Sequence, residues 1–172
     1  SKIFKKNLLK DRIFRFFYKT ISLFYLSGLV YLIFAIESEY FNVKIYLLYS
    51  VLVAILSDTG GLVCGKIFKG KKLSKISPNK TISGSIGSFI FPIILTPFFY
   101  KGQIEQNLIK LILITIIISL ISQLGDLFIS LLKRKAKVKD TSDLLPGHGG
   151  VLDRIDGIIF AIPLGIYLFI VI

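Results

Sequence analysis

The sequence is short of cysteine, methionine and acidic residues, and each shortage narrows the class of protein. Its 172 residues include one cysteine and no methionine, and 10 acidic residues stand against 22 lysines and arginines. A single cysteine, Cys64, excludes a disulfide framework. The lack of methionine indicates either a removed initiator or a missing N-terminal portion. The acidic deficit leaves a net charge of +12, so the candidate partners are nucleic acid, anionic lipid or a phosphorylated substrate.

Apolar residues are abundant instead. They make up 53% of the chain, and the mean hydropathy is +0.74, which is typical of a bilayer protein rather than a soluble domain. The basic residues lie between apolar runs, which favours lipid or nucleotide phosphate over nucleic acid as the partner. Residues 1–19 hold seven lysines and arginines with no small-residue cleavage site after the first apolar run, so we do not expect them to be a secretory signal peptide.

Five apolar segments predict an all-α polytopic membrane protein. A spanning helix needs roughly 20 residues, and helices are expected because lipid offers the backbone no hydrogen-bond partner. We expect about five spans in a single membrane domain, 1–172, in which 1–19 form a basic cytoplasmic segment. The five segments are Thr20 to Ile36, Ile45 to about Cys64, about Ser85 to Tyr100, Leu108 to Leu132, and Ile155 to Ile172.

The basic residues predict the orientation of these spans. Nineteen of the 22 fall on one side: in residues 1–19, after the second segment and after the fourth. The excess of Lys and Arg marks the cytoplasmic side. We therefore expect a protein of the cell inner membrane with a cytoplasmic N-terminus and an extracytoplasmic C-terminus.

Asp126 is a carboxylate inside the fourth apolar segment. The residues Ser119, Ser122, Asp126, Ser130 and Lys133 recur at spacings of three and four, which puts them on one face of a helix. Serines often join helices by hydrogen bonds in membranes. A carboxylate is different, since it costs about 2.5–3.5 kcal/mol at the centre of a spanning helix. The pattern therefore indicates a functional role for Asp126.

Asp58 allows two interpretations, between which the sequence does not choose. In one, the second helix continues past Asp58, which then shares a polar cavity with Asp126 at a similar depth. In the other, the helix ends at Ser57 and Asp58 lies in water.

A third polar feature, "LLPGHGGVLDRIDG" at 144–157, directly precedes the last apolar segment. Gly149 and Gly150 allow a close backbone approach, and the N-terminus of a following helix would offer its N–H groups to an anion. Arg154 adds a forked donor for phosphate. His148, between glycines in a basic loop, is a better candidate for a site than most lone histidines.

Two carboxylates, Asp153 and Asp156, follow within the same feature at a spacing of three. Carboxylates beside a phosphate repel it unless a metal ion lies between them. Hard oxygen ligands together with phosphate favour Mg²⁺. The stretch therefore predicts a phosphate and magnesium site where the last helix meets the cytoplasmic surface.

The stretch from Ser130 to Asp156, "S-x-x-K-R-x-x-x-x-K-D-x-S-x-x-L-P-G-H-G-G-V-x-D-R-I-D", resembles the signature of the bacterial phosphatidate cytidylyltransferases. The segments Ser57 to Gly84 and Ser122 to Asp140 are similar to two further family segments. The resemblance covers about 45–172. Members of that family are usually longer, with additional spans before this region.

The resemblance implies an enzyme that converts CTP and phosphatidate into CDP-diacylglycerol and pyrophosphate with Mg²⁺, and it suggests a homodimer. It makes Asp126 and Asp153 the first choices as metal ligands, with Asp58 and Asp156 next. Catalytic roles would fall on Asp126, Lys133, Arg134, His148, Asp153 and Arg154. Substrate binding would fall on Lys66, Ser77, Lys80, Thr81, Lys139, Gly149 and Gly150.

Other functions remain open on the sequence. A polyprenol kinase or an archaeal-type CDP-lipid synthase also uses CTP, but a kinase leaves CDP instead of pyrophosphate. A CDP-alcohol phosphotransferase is disfavoured because its D-G-x-x-A-R motif is absent. A transporter subunit would account for Asp58 and Asp126 but would leave "PGHGGVLDRID" without a role.

Overall fold

The computed structural model describes residues 43–73, 80–100, 104, 107–135 and 152–172, with backbone only for 152–154, and most of 20–31. The chain divides into two compact units, Ser1–Val43 and Lys44–Ile172. In the first unit the described residues between 20 and 31 are helical. The second unit contains the predicted site.

Among its described residues, the second unit contains four helices: α1 (Val43–Phe68), α2 (Ile82–Tyr100), α3 (Leu108–Lys135) and α4 (Leu152–Val171). The helices α1, α2 and α3 are long and apolar enough to cross a membrane, and the apolar part of α4, Ile155–Val171, is shorter. Within the described ranges the one extended pairing is a bridge between Lys72 and Thr81. The prediction of an all-α polytopic membrane protein is confirmed.

The helix α1 continues ten residues beyond Asp58 and ends at Phe68. Lys69 follows with a φ of 41°, the left-handed conformation that commonly closes a helix. Asp58 therefore lies within the helix, and the interpretation in which the helix stops at Ser57 is wrong. The adjacent glycines Gly60 and Gly61 do not end α1, because they serve its contact with α2.

The helices α1 and α2 pack backbone against backbone. A Cβ atom added to Gly87 would lie 2.6 Å from the carbonyl oxygen of Gly60, and one added to Gly84 would lie 2.7 Å from that of Gly61. Neither helix can carry a side chain at these points without moving. Small residues are the usual means of such close approach in lipid.

A proline in α2 is tied to a serine in α3. Pro92 has no N–H, so it leaves the carbonyl oxygen of Ser88, four residues earlier, without its helical donor. The Ser119 hydroxyl donates to that oxygen at 2.7 Å. The hydroxyl of Ser57 in α1 lies 3.0 Å from that of Ser119, so three helices meet at one serine.

The core of the second unit combines apolar packing with a few buried polar contacts. Tyr49 is fully buried, its hydroxyl lies 2.5 Å from that of Thr115, and its ring packs edge-on against Phe99 and Phe169. The helices α3 and α4 approach through Gly157, where an added Cβ would lie 3.0 Å from the Ser122 carbonyl oxygen. The buried core members are Tyr49, Val53, Ala54, Ile104, Leu111, Ile114, Ile118, Ala161, Leu168 and Phe169.

Candidate active site

One cavity of about 650 Å³ brings together residues from all four helices and from the 71–81 connection. Three carboxylates line it: Asp58 from α1, Asp126 from α3 and Asp156 from α4. Two lysines, Lys66 and Lys80, line it too. Of the two interpretations of Asp58, the one in which it shares a cavity with Asp126 is therefore confirmed, and Asp156 lines the same cavity.

Both oxygens of the Asp126 carboxylate have a partner. Lys80 Nζ forms an ion pair with Oδ2, and the Ser130 hydroxyl donates to Oδ1 at 3.3 Å. Ser130 lies one helical turn after Asp126, so the predicted polar face of α3 supplies this contact. Asp126 and Lys80 keep side-chain exposures of 21% and 28%, so the pair is within reach of solvent.

The backbone around Lys80 is held by the connection that precedes α2. The N–H of Leu73 donates to the carbonyl oxygen of Lys80 at 2.8 Å, and the N–H of Ile82 donates to that of Lys71 at 2.9 Å. Thr81 then caps α2, because its hydroxyl accepts from the N–H of Gly84 at 3.1 Å. These bonds fix the point from which the Lys80 side chain starts.

Asp156 is buried in the first turns of α4. Its Oδ1 accepts from the N–H of Gly157 at 2.9 Å, and Lys133 Nζ lies 3.9 Å from its Oδ2. The separation between Lys133 and Asp156 is longer than a hydrogen bond, so the attraction is electrostatic and loosely held. The close contact of Gly157 with Ser122 fixes where Asp156, the residue before Gly157, lies along α3.

A chain of hydrogen bonds between α2 and α3 orients another polar side chain of the cavity. The Ser85 hydroxyl donates to Gln123 Oε1 at 2.6 Å, and Gln123 Nε2 lies 3.4 Å from the Ser119 hydroxyl. The Ser119 hydroxyl donates its hydrogen bond to the Ser88 carbonyl oxygen, so its oxygen accepts the hydrogen bond from Gln123. This chain of bonds orients the Gln123 amide, which also lines the cavity.

The donor set fits Mg²⁺ with an incomplete protein shell. Among the described side chains no group of three or more His, Cys, Asp or Glu is gathered to hold a metal ion. Magnesium is usually bound through one or two carboxylates, with phosphate oxygens and water completing its shell. Asp126 together with Asp58 or Asp156 would meet that requirement, with hard oxygen ligands throughout.

The remaining predicted residues divide into three groups. Lys66, Lys80 and Thr81 line the cavity, whereas Arg134 is exposed on the last turn of α3. The others lie outside the described residues, so their predicted roles stay predictions: Ser77, Lys139, His148, Gly149, Gly150 and the side chains of Asp153 and Arg154.

The sequence matches the model of the "Cytidylyltransferase family" over residues 3–172. The chain belongs to the cytidylyltransferase family. Three relatives named "Phosphatidate cytidylyltransferase" are similar to it. Those from Staphylococcus haemolyticus and Staphylococcus epidermidis are 47% and 42% identical over 124 residues, and that from Staphylococcus aureus is 45% identical over 121 residues.

Each of these alignments covers 69% of this chain and 46% of the relative. The chain therefore spans about half the length of the curated relatives it matches. The family match reaches residue 3, so it extends further toward the N-terminus than the motifs at 57–84, 122–140 and 130–156.

Sequence reasoning missed two parts of this candidate site. One is Ser85, whose partner Gln123 is 38 residues away, so no local pattern reveals the pair. The other is the glycine contact between α1 and α2. Its signal was present in the sequence as small residues four apart, Gly61 with Gly65 and Gly84 with Ser88, a spacing typical of closely packed membrane helices.

Proposed function

We propose that this cytidylyltransferase-family chain transfers the cytidylyl group of CTP to phosphatidate, giving CDP-diacylglycerol and pyrophosphate. The observation that carries the proposal is the cavity itself: three carboxylates and two lysines from separate segments line one space within apolar helices. The relatives named phosphatidate cytidylyltransferase support the same substrates.

The reaction joins groups that are all negatively charged. A phosphate oxygen of phosphatidate attacks the α-phosphorus of CTP and forms the new P–O bond. The bond from that phosphorus to the bridging oxygen of the β-phosphate breaks, and its electron pair leaves with pyrophosphate. The attacking oxygen is already an anion, so no general base is needed. The protein contributes mainly by positioning the reactants and stabilising their charge.

The two cavity lysines suit the binding of these phosphates. Lys66 is in the last turn of α1 and Lys80 lies two residues before α2, so their charges come from two separate segments. Asp126 with Asp58 or Asp156 would hold Mg²⁺, which would offset phosphate charge and shield the phosphates from the carboxylates. Lys133, 3.9 Å from Asp156, would add positive charge at the rim.

Apolar residues in the same cavity suit a lipid substrate. Ile55 and Leu62 line it, and both are exposed, by 45% and 65%. They belong to a helix long and apolar enough to span the bilayer, where an exposed side chain faces acyl chains. A substrate with a phosphate and two acyl chains would contact both kinds of lining.

The location and assembly are part of the proposal. The excess of basic residues favours the cytoplasmic face of the inner membrane for the cavity, where CTP is available. A homodimer is proposed on the family resemblance alone.

Pyrophosphate release tests the proposal. The purified chain in lipid nanodiscs would receive CTP and Mg²⁺, with phosphatidate in one sample and phosphatidylcholine in its control. We expect pyrophosphate only with phosphatidate, and none after Mg²⁺ is chelated. Release of CDP would identify a kinase instead, and metal-independent handling of CTP would contradict the whole assignment.

A further inference from the structure

We propose that Lys80 and a divalent cation compete for Asp126, and that Lys80 changes partner from this carboxylate to a substrate phosphate when the cation binds. The inference rests on the proposed function, which assigns a cation to Asp126 and phosphates to the cavity. It adds a role for Lys80 as the group that neutralises the metal ligand until the metal arrives.

The geometry at Asp126 creates the competition. Oδ1 accepts from Ser130 at 3.3 Å, and Oδ2 is held by the Lys80 ammonium. A cation approaching this carboxylate meets the positive charge of the Lys80 ammonium at the oxygen that it would bind. Two positive charges on one oxygen repel strongly, so either the metal stays weakly bound or Lys80 leaves.

The Lys80 side chain can move away from Asp126 while its backbone stays in place. Its backbone is fixed by Leu73, whereas its four-carbon side chain rotates freely at several bonds and carries a compact charge. Lys80 and Asp126 both line the cavity, so the ammonium can turn toward a ligand without any shift of the helices. The side-chain exposures of 28% and 21% leave the pair accessible from the cavity.

The repulsion among the three carboxylates of the cavity gives the ion pair of Lys80 with Asp126 a purpose before the cation binds. Without a cation, Asp58, Asp126 and Asp156 would face one another across a single cavity set among apolar helices. Lys80 offsets part of that repulsion. When a cation takes over the charge of Asp126, the released ammonium becomes available for a phosphate, so metal and nucleotide favour each other's binding.

The test measures binding of Mn²⁺, used in place of Mg²⁺, by the loss of its free electron paramagnetic resonance signal. The samples are the full chain in nanodiscs and the variant Lys80→Gln, which keeps length and polarity but removes the charge. We expect Lys80→Gln to bind Mn²⁺ about fivefold more tightly, since an ion pair within reach of solvent contributes up to roughly 1 kcal/mol. The same variant should bind CTP more weakly when Mn²⁺ is saturating.

Two further variants sharpen the test. Lys66→Gln removes an equal charge from the same cavity without touching the Asp126 ion pair, so its gain in Mn²⁺ affinity should be clearly smaller. Lys80→Arg keeps a positive charge on Asp126 and should keep the weaker affinity of the unaltered chain. Opposite effects of Lys80→Gln on Mn²⁺ and on CTP would not arise from a purely structural lysine, whose loss would weaken both.

An unchanged or weaker Mn²⁺ affinity in Lys80→Gln would overturn the inference. Its failure is separable from that of the proposed function. If the unaltered chain releases pyrophosphate but Lys80→Gln binds Mn²⁺ no better, the exchange is refuted and the reaction stands. If Lys80→Gln binds Mn²⁺ more tightly but the unaltered chain releases no pyrophosphate, the exchange stands and the reaction is refuted.

Discussion

The substitution Gly87→Ala tests whether the contact between α1 and α2 controls the site. The added Cβ would lie 2.5 Å from both Cβ and Sγ of Cys64 and 2.6 Å from the carbonyl oxygen of Gly60. Carbon atoms pack at roughly 3.5–4.0 Å, so the shortfall is about 1 Å. Two of the three atoms, Cβ of Cys64 and the Gly60 oxygen, cannot rotate away, and the helices themselves must separate.

Separation by about 1 Å has two measurable consequences. Overpacking of this size costs about 1–3 kcal/mol, which lowers the melting temperature by about 2–4 °C per kcal/mol in a chain of this length. It also moves Asp58, which is on α1, relative to Ser85 of α2, and both residues line the cavity. Misplacement of a reacting constellation by about 1 Å costs about 10²-fold in rate, so the loss of activity should exceed what the loss of stability explains.

The assay combines pyrophosphate release with thermal unfolding of the same nanodisc samples, measured well below the melting temperature. The control is Gly28→Ala, since a Cβ added at Gly28 meets nothing within 4 Å among the described residues. We expect the control to match the unaltered chain in both measurements. A Gly87→Ala protein with ordinary release and melting would refute the claim that this contact sets the geometry of the cavity.

Three further predictions follow from the same structure. Asp126→Asn should reduce pyrophosphate release by about 10²-fold or more. Membrane insertion, measured by fractionation, should stay intact, because the charge is the part of the side chain that is unfavourable in lipid. Ordinary pyrophosphate release would show that the carboxylate is only structural. Thr81→Val should lower stability by about 1 kcal/mol through loss of the α2 cap, whereas Thr81→Ser should keep it; equal melting of the two would contradict the cap. Tags between α1 and α2 and after Ile172 should be accessible from opposite sides of the membrane, and two tags on one side would exclude the five-span arrangement.

The helices were largely predictable because the length and the apolar composition of a segment are enough to identify a membrane-spanning helix. Leu108 to Leu132 and Ser85 to Tyr100 fall within three residues of the observed α3 and α2. The polar face of α3 was predictable too, since helical periodicity alone puts Ser130 beside Asp126.

The course of α1 past Asp58 was not predictable from local pattern. Two adjacent glycines after an aspartate are equally consistent with a helix end, and only the neighbouring helix decides between these outcomes. Once Gly84 and Gly87 of α2 lie against them, Gly60 and Gly61 favour packing over termination. The Ser85–Gln123 pair and the partner of Lys80 depend in the same way on which helices become neighbours.

Pro92 has a consequence for how the protein is made. In a bilayer, a carbonyl group without a donor is expensive, and α2 carries one at Ser88 until α3 supplies the Ser119 hydroxyl. The helix α2 is therefore unfavourable in the bilayer by itself. It has 19 residues, two internal prolines and a carbonyl oxygen to which lipid cannot donate a hydrogen bond. We therefore expect α2 to gain a stable place in the membrane only when α3 follows it during synthesis, so that the two helices insert as one unit.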